Sequence, residues 1–222
     1  MSNYLSLILV VFAISTVLAC NTLTNATADV KIPDPVVSDP LATTKSAQTA
    51  VFAGGCFWGV EAVFEHVKGV TDVTSGYAGG DAKTANYKAV SGGETGHAEA
   101  VRVSYDSSQV SYEQLLKIFF SVAHDPTELN RQGPDTGTQY RSAIFYTDEN
   151  QVRIARAYIA QLDQAKVFKR PIVTQVVALD SYYQAEAYHQ DYLAHHPNEP
   201  YIVINDQPKV ANLRKQFPDL YR

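Results

Sequence analysis

Cys56 stands in Ala53-Gly54-Gly55-Cys56-Phe57-Trp58-Gly59, where a strand-like run meets a helix-like one. A thiol becomes a nucleophile only as its thiolate, and the unpaired amide N–H groups at a helix start favour that anion. Upstream, Thr49-Ala50-Val51-Phe52-Ala53 reads as a short buried strand; downstream, Val60, Val63, Phe64 and Val67 recur at helical spacing. Gly54 and Gly55 permit the sharp turn between them. The setting fits a reactive thiol, and it also fits a small buried hydrophobe, because free cysteine is among the most buried residue types.

Three polar clusters compete to be partners of Cys56. Gly96-His97-Ala98-Glu99 puts an imidazole and a carboxyl at the head of a strand. Asp135 and Tyr140 belong to a loop long enough to need a reason, and Tyr87 follows Asn86 in another. Singly, Glu99 reads as a solvent-facing strand residue and each tyrosine as core or surface. Together with Cys56, His97 could act as the base of a Cys-His hydrolase oriented by Asp135. Spacing leaves open which of these side chains converge.

The elements that must position them alternate in type. Val70 to Tyr77 alternates like a strand before the Gly79-Gly80 turn, and Ala98 to Tyr105 makes another. Ser111 opens a helix, with Glu113-Gln114 near its start and Leu115, Leu116, Ile118, Phe119, Phe120 and Val122 as a broad apolar face; His124-Asp125-Pro126 stops it. A polar loop runs from Thr127 to Gln139. Ser142 to Tyr146 reads as a strand, Glu149 to Ala165 as a helix and Ile172 to Ala178 as a β-branched strand. This order predicts an α+β fold, a two-layer α/β sandwich with a mixed, partly antiparallel sheet and a ferredoxin-like core.

At 222 residues, with 45% hydrophobic and 18% charged content, the chain suits one well-cored domain. A net charge of -5 and the lack of any Lys/Arg run exclude a nucleic-acid footprint. Met1 is the only methionine, which fits either compositional drift or work in an oxidising setting. Leu5 to Leu18 is nearly all apolar, a length suited to a signal peptide and short for a membrane span of about 20 residues. Val17-Leu18-Ala19-Cys20 resembles the lipobox of bacterial lipoproteins, although Met1-Ser2-Asn3-Tyr4 carries no Lys or Arg and Leu18 is bulky for its place. An ordinary secretion signal and an uncleaved anchor are the other readings. Lipidation of Cys20 would hold the protein on a membrane surface in the cell envelope. Thr, Ala, Asp and Pro dominate from Asn21 to Gln48, with Pro33, Pro35 and Pro40 interrupting helix and strand. The organisation expected is a signal segment over 1–20, a flexible tether over 21–48 and a catalytic domain over 49–222.

Gly54-Gly55-Cys56-Phe57-Trp58-Gly59, Gly76-Tyr77-Ala78-Gly79-Gly80, Gly96-His97-Ala98-Glu99, Gly137-Thr138-Gln139-Tyr140-Arg141-Ser142 and Ala187-Tyr188-His189-Gln190 together resemble the A-type peptide-methionine sulfoxide reductase family. The motifs occur in the family's order from about Thr49 to Pro197. The resemblance implies reduction of methionine S-sulfoxide, free or in oxidised proteins, with no cofactor. Cys56 would attack the sulfoxide sulfur and become a sulfenic acid, and Glu99 would be a carboxylic acid kept neutral by burial. Tyr87 and Tyr140 would hold the sulfoxide oxygen, Asp135 would shape the site, and Phe57 and Trp58 would wall the S-methyl group. His97 then becomes a structural hydrogen-bonder.

One departure matters. Family members that recycle through thioredoxin usually carry a resolving cysteine near the C-terminus, and here no cysteine follows Cys56. The expectation is direct reduction of the sulfenic acid by an external thiol, such as a thioredoxin-like protein. His189, His195 and His196 lack the short spacing of zinc sites, so packing and hydrogen bonding are expected of them.

Overall fold

The computed structural model describes residues 32–222. In chain order the elements are β1 (Ala47–Gly54), α1 (Phe57–Glu65), β2 (Val70–Ala78), the short α2 (Tyr87–Val90), β3 (Ala98–Asp106), α3 (Tyr112–Ile118), the two-residue strands β4 (Arg131–Gln132) and β5 (Asp135–Thr136), β6 (Ser142–Tyr146), α4 (Glu149–Gln164), β7 (Gln175–Ala178), β8 (Tyr182–Gln184), the short α5 (Tyr192–His195) and α6 (Gln207–Gln216). The main sheet is ordered β7-β6-β1-β3-β2-β8. All its pairs are antiparallel except β6 with β7, so the sheet is mixed.

Period-two alternation sorts the strands onto two faces. Phe52 of β1, Val101 and Val103 of β3 and Ile144 of β6 meet Val63 and Phe64 of α1, Leu115 of α3 and Tyr158 of α4 in the main core. Burying each such side chain stabilises the fold by about 1.5–3 kcal/mol relative to leaving it exposed. The opposite face is thinner: Val51, Ala53, Ala98, Ala100, Ala143 and Phe145, covered by Leu179 and Tyr182. The same alternation corrects the expected place of Glu99. It lies on the core face with Val101 and Val103, while Arg102 and Ser104 share the other face with Ala98 and Ala100.

Local chemistry fixes the helix ends. Ser111 and Gln114 form a capping box at the start of α3, with bonds of 3.2 and 2.9 Å. Asp148 caps α4 by accepting from the amides of Asn150 and Gln151, each at 2.9 Å. The apolar run after α3 continues as a π-helical turn, Phe119–Ala123, and stops at His124 as the sequence predicts. The strand expected over Ile172 to Ala178 begins only at Gln175, and β8 and α6 are elements the sequence reading does not contain.

The expected tether differs most. From Ile32 onward it is a strap across α3 and α4. Ile32 is buried in the main core, the Tyr158 hydroxyl donates to the Pro33 carbonyl at 2.8 Å, and the Val36 amide donates to Gln161 at 3.0 Å. The Asp39 amide donates to Glu113 at 2.7 Å, and Lys117 pairs with Asp34 at 2.6 Å. Prolines exclude helix and strand there, yet extended chain still offers its peptide groups to side chains on the helices. The expected signal segment with Cys20, and residues 21–31, lie outside the described residues. Among the described residues no helix is long and apolar enough to cross a membrane.

Candidate active site

β1 ends at Gly54, and Cys56 is the N-cap of α1. Between them Gly55 holds φ of +95°, and a Cβ there would sit 2.6 Å from the Gln132 side chain, so only glycine makes this turn. Cys56 is 8% exposed. The helix start does act on the thiol, because the Trp58 amide favours its anion, and Lys209 adds to that. Burial overrides both, reinforced by the carboxyls of Glu99 and Asp206, and pushes the thiol's pKa well above that of a free cysteine. The resting group is therefore a thiol, not the thiolate that the helix-start argument alone predicts.

Glu99 is 2% exposed and accepts a hydrogen bond from the Phe57 amide at 3.1 Å on Oε2. Burial pushes its pKa up to about 8, against the pull of the Phe57 amide, and Asp135 adds to the rise. At neutral pH this carboxyl is mostly a neutral acid.

The other expected residues converge on the same place. Tyr87 opens α2, where Asn86 caps the turn by accepting from the Ala89 amide at 3.1 Å, and its own amide is held by Glu186 at 3.0 Å. Tyr140 ends a 3-10 turn after β5. Both phenols are pushed up, first by burial and then by the acidic groups Glu99, Asp135 and Cys56, whose ionisation would disfavour a phenolate beside them. Asp135, at the start of β5, accepts from the Tyr201 hydroxyl on Oδ2, and burial raises its pKa.

Phe57 and Trp58 separate in role. Phe57 is 1% exposed, with its ring 5.0 Å from His189 and 5.9 Å from Tyr77. Trp58 is half-buried, stacks on Tyr192 at 3.7 Å, meets Tyr201 edge-on at 5.9 Å and donates its indole N–H to His189 Nδ1 at 3.1 Å. His97 lies elsewhere: its Nε2 is 3.0 Å from the Asp81 carbonyl, and its ring stands edge-on to Tyr77 and Tyr183. It is the structural hydrogen-bonder expected, and not a base for Cys56.

The family model for peptide methionine sulfoxide reductase matches residues 48–221. The chain belongs to this family. It is 55% identical over 190 residues to peptide methionine sulfoxide reductase MsrA 2 of Synechocystis, covering 85% of this chain and 89% of that one. It is 58% identical over 175 residues to MsrA 2 of Mesorhizobium japonicum, covering 79% and 90%. The solved structure of methionine sulfoxide reductase A of Corynebacterium diphtheriae is similar with a TM-score of 0.59 and 37% identity, covering 68% of this chain and 76% of that one.

Within this member of the reductase family, several site residues escape the sequence reading. Glu186 bridges the site, holding the Tyr87 amide and the Tyr77 hydroxyl, the latter at 2.9 Å. His189 stands inside the aromatic cluster, packing on Phe57 and Tyr87 and accepting from Trp58, in the packing and hydrogen-bonding role expected of it. Gln190 of the same motif clasps the backbone of Ser75 in β2, its Oε1 accepting from the amide at 2.9 Å and its Nε2 donating to the carbonyl at 3.1 Å. Tyr201, Asp206 and Lys209 come from the C-terminal stretch, where no motif marks them.

Proposed function

We propose that this chain reduces methionine S-sulfoxide, free or within proteins, to methionine at the expense of an external thiol. The observation that carries the mechanism is the neutral carboxyl of Glu99 hydrogen-bonded to the residue that follows Cys56. A sulfoxide sulfur is a poor electrophile until its oxygen takes a proton or a strong hydrogen bond. Glu99 gives its proton to that oxygen as the sulfur of Cys56 bonds to the sulfoxide sulfur, and the thiol proton replaces the one Glu99 gave. The oxygen then passes to Cys56, methionine leaves, and the enzyme holds a sulfenic acid. One external thiol condenses with it, releasing water and forming a mixed disulfide; a second thiol releases Cys56 as the thiol.

The hydroxyls of Tyr87 and Tyr140 donate to the same oxygen, a task suited to phenols that stay protonated. Trp58, with Tyr192 and Tyr201, forms the wall for the S-methyl group, and Phe57 supports it from within. Asp135, fixed by Tyr201, shapes the rim. The central order β6-β1-β3-β2, with helices in the β1–β2 and β3–β6 crossovers, supports a ferredoxin-like reading of the core. The lack of any cysteine after Cys56 supports direct reduction by a thioredoxin-like protein or small thiol. The lipobox-like Val17-Leu18-Ala19-Cys20 supports an envelope protein held by a lipid on Cys20.

The test is turnover of the S and R epimers of a methionine sulfoxide substrate with dithiothreitol, beside Cys56→Ser and Glu99→Gln. Activity on the S epimer alone, abolished by the first substitution and strongly lowered by the second, is the expected result. No turnover of either epimer by folded protein would discard the assignment.

A further inference from the structure

We propose that His189 is a positioning residue for the substrate wall, holding the Trp58 indole in one of its two flips by accepting its N–H. Trp58 is the single tryptophan of the chain. Its ring lies flat on Tyr192, with 3.7 Å between centroids and 5° between planes, and Tyr201 stands edge-on at 5.9 Å. Stacking fixes the plane of an indole but not its flip, because the torsion about the Cβ–Cγ bond is broad and roughly two-fold. Turning the ring over keeps that plane and swings the six-membered ring to the other side. A polar partner tells the two edges apart, and here the indole N–H donates to His189 Nδ1 at 3.1 Å.

The imidazole is held to that task. An indole nitrogen donates and does not accept, so His189 Nδ1 offers a lone pair and the neutral ring carries its proton on Nε2. That Nε2 is buried with no hydrogen-bond partner among the described residues, in a residue 2% exposed. An unpaired buried N–H costs stability, so packing alone does not account for a histidine here. The turn that carries it, Ala187–His189, is pinned on both flanks. Glu186 holds the Tyr87 amide and the Tyr77 hydroxyl, and Gln190 holds the Ser75 backbone. The rings of Phe57, Tyr87 and Tyr188 close round the imidazole at 5.0, 4.5 and 4.2 Å. A second proton has only Nδ1 to enter, and it would take the lone pair from Trp58. The titratable groups facing the ring are Tyr87 of α2, Glu186 and Tyr188 of its own turn, and Tyr192 of α5 across Trp58. Burial lowers the His189 pKa against the pull of Glu186, so the neutral acceptor persists at neutral pH.

This inference rests on Trp58 walling the reductase site, but its first readout uses no substrate. In the full chain with tryptophan nitrogen isotopically labelled, one indole signal in the NMR spectrum reports Trp58 alone. His189→Phe keeps a ring in the cluster and removes the acceptor; His189→Asn removes the ring and keeps an acceptor near the place of Nδ1. His189→Phe is expected to move the indole proton upfield, to speed its exchange with water about tenfold, and to raise KM for the S-sulfoxide about tenfold with little of the loss on kcat. His189→Asn restores most of each. In the unmutated chain the indole signal moves only as His189 itself titrates, below the ordinary histidine value of about 6.5, and this arm needs no variant to fold. A packing role predicts the reverse order, with His189→Phe close to wild type and His189→Asn impaired, and that order overturns the proposal. So does an indole signal that stays in place once His189 is protonated. Absence of turnover by the unmutated chain discards the reductase reading instead, and the indole signal then still decides what holds Trp58.

Discussion

The amide of Phe57 donates to Oε2 of Glu99 at 3.1 Å, so the residue that follows Cys56 is tied to the Glu99 carboxyl. One hydrogen bond thereby fixes the start of α1 against the middle sheet strand β3.

Activity should follow the protonation of Glu99. With its pKa raised to about 8, kcat is expected to hold through neutral pH and fall as pH rises through 8. Glu99→Gln lowers kcat by about a hundredfold or more and removes that alkaline limb. A pH–rate profile of both proteins reads this directly, and an unchanged limb in the variant would assign the titration to another group.

Stability should carry the same signature with its own sign. Glu99, raised to about 8, and Glu61, buried in α1 and raised to about 7, both bind protons more tightly folded than unfolded. The folded state holds the extra protons between the ordinary carboxyl range and those values, so stability declines as pH rises across that window. Urea midpoints at pH 5 and pH 8.5 measure the decline, and Glu99→Gln makes it shallower.

Truncation should separate the strap from the domain core. A fragment beginning at Ala47 loses the burial of Ile32, about 1.5–3 kcal/mol, with the bonds that Pro33, Val36 and Asp39 make to α4 and α3. At about 2–4 °C per kcal/mol, its melting midpoint falls by several degrees below a fragment beginning at Ile32. Equal midpoints would show that the strap adds nothing to stability.

Gly59→Ala sets two effects against each other. Alanine is the better helix former by about 1 kcal/mol, but its methyl would lie 2.1 Å from the Asp206 carboxylate. The clash is with a buried, paired side chain, so it wins, and the substitution destabilises by about 1–3 kcal/mol in urea unfolding.

What the sequence made legible was periodic or local. The strand before Cys56, the α1 register, the Ser111–Gln114 cap and the stop at His124 all follow from spacing or short-range hydrogen bonding. Taken alone, Glu99 reads as solvent-facing because Ala98 and Ala100 are apolar, whereas the family resemblance expects it buried. The stricter series Val101, Val103, Tyr105 puts the carboxyl on the core face, and a carboxyl there is itself the signal of a perturbed acid. Asp206 and Lys209 stood three residues apart like any solvated ion pair, and only a glycine far upstream makes room for them. α6 buries Lys209 and Leu213 alone, too sparse a face to show as periodicity. The strap is held by contacts such as Val36 to Gln161, which bridge distant parts of the chain and leave no pattern in either stretch.

Because the strap is fastened from Ile32, the leash would be far shorter than its composition suggests were Cys20 lipidated as proposed. Only residues 21–31 separate Cys20 from the fastened chain, a span of about 40 Å at full extension, against about 100 Å had the whole stretch to Gln48 been free. Such an enzyme would work within one protein diameter of its membrane, repairing what passes close to that surface rather than sampling the compartment's depth.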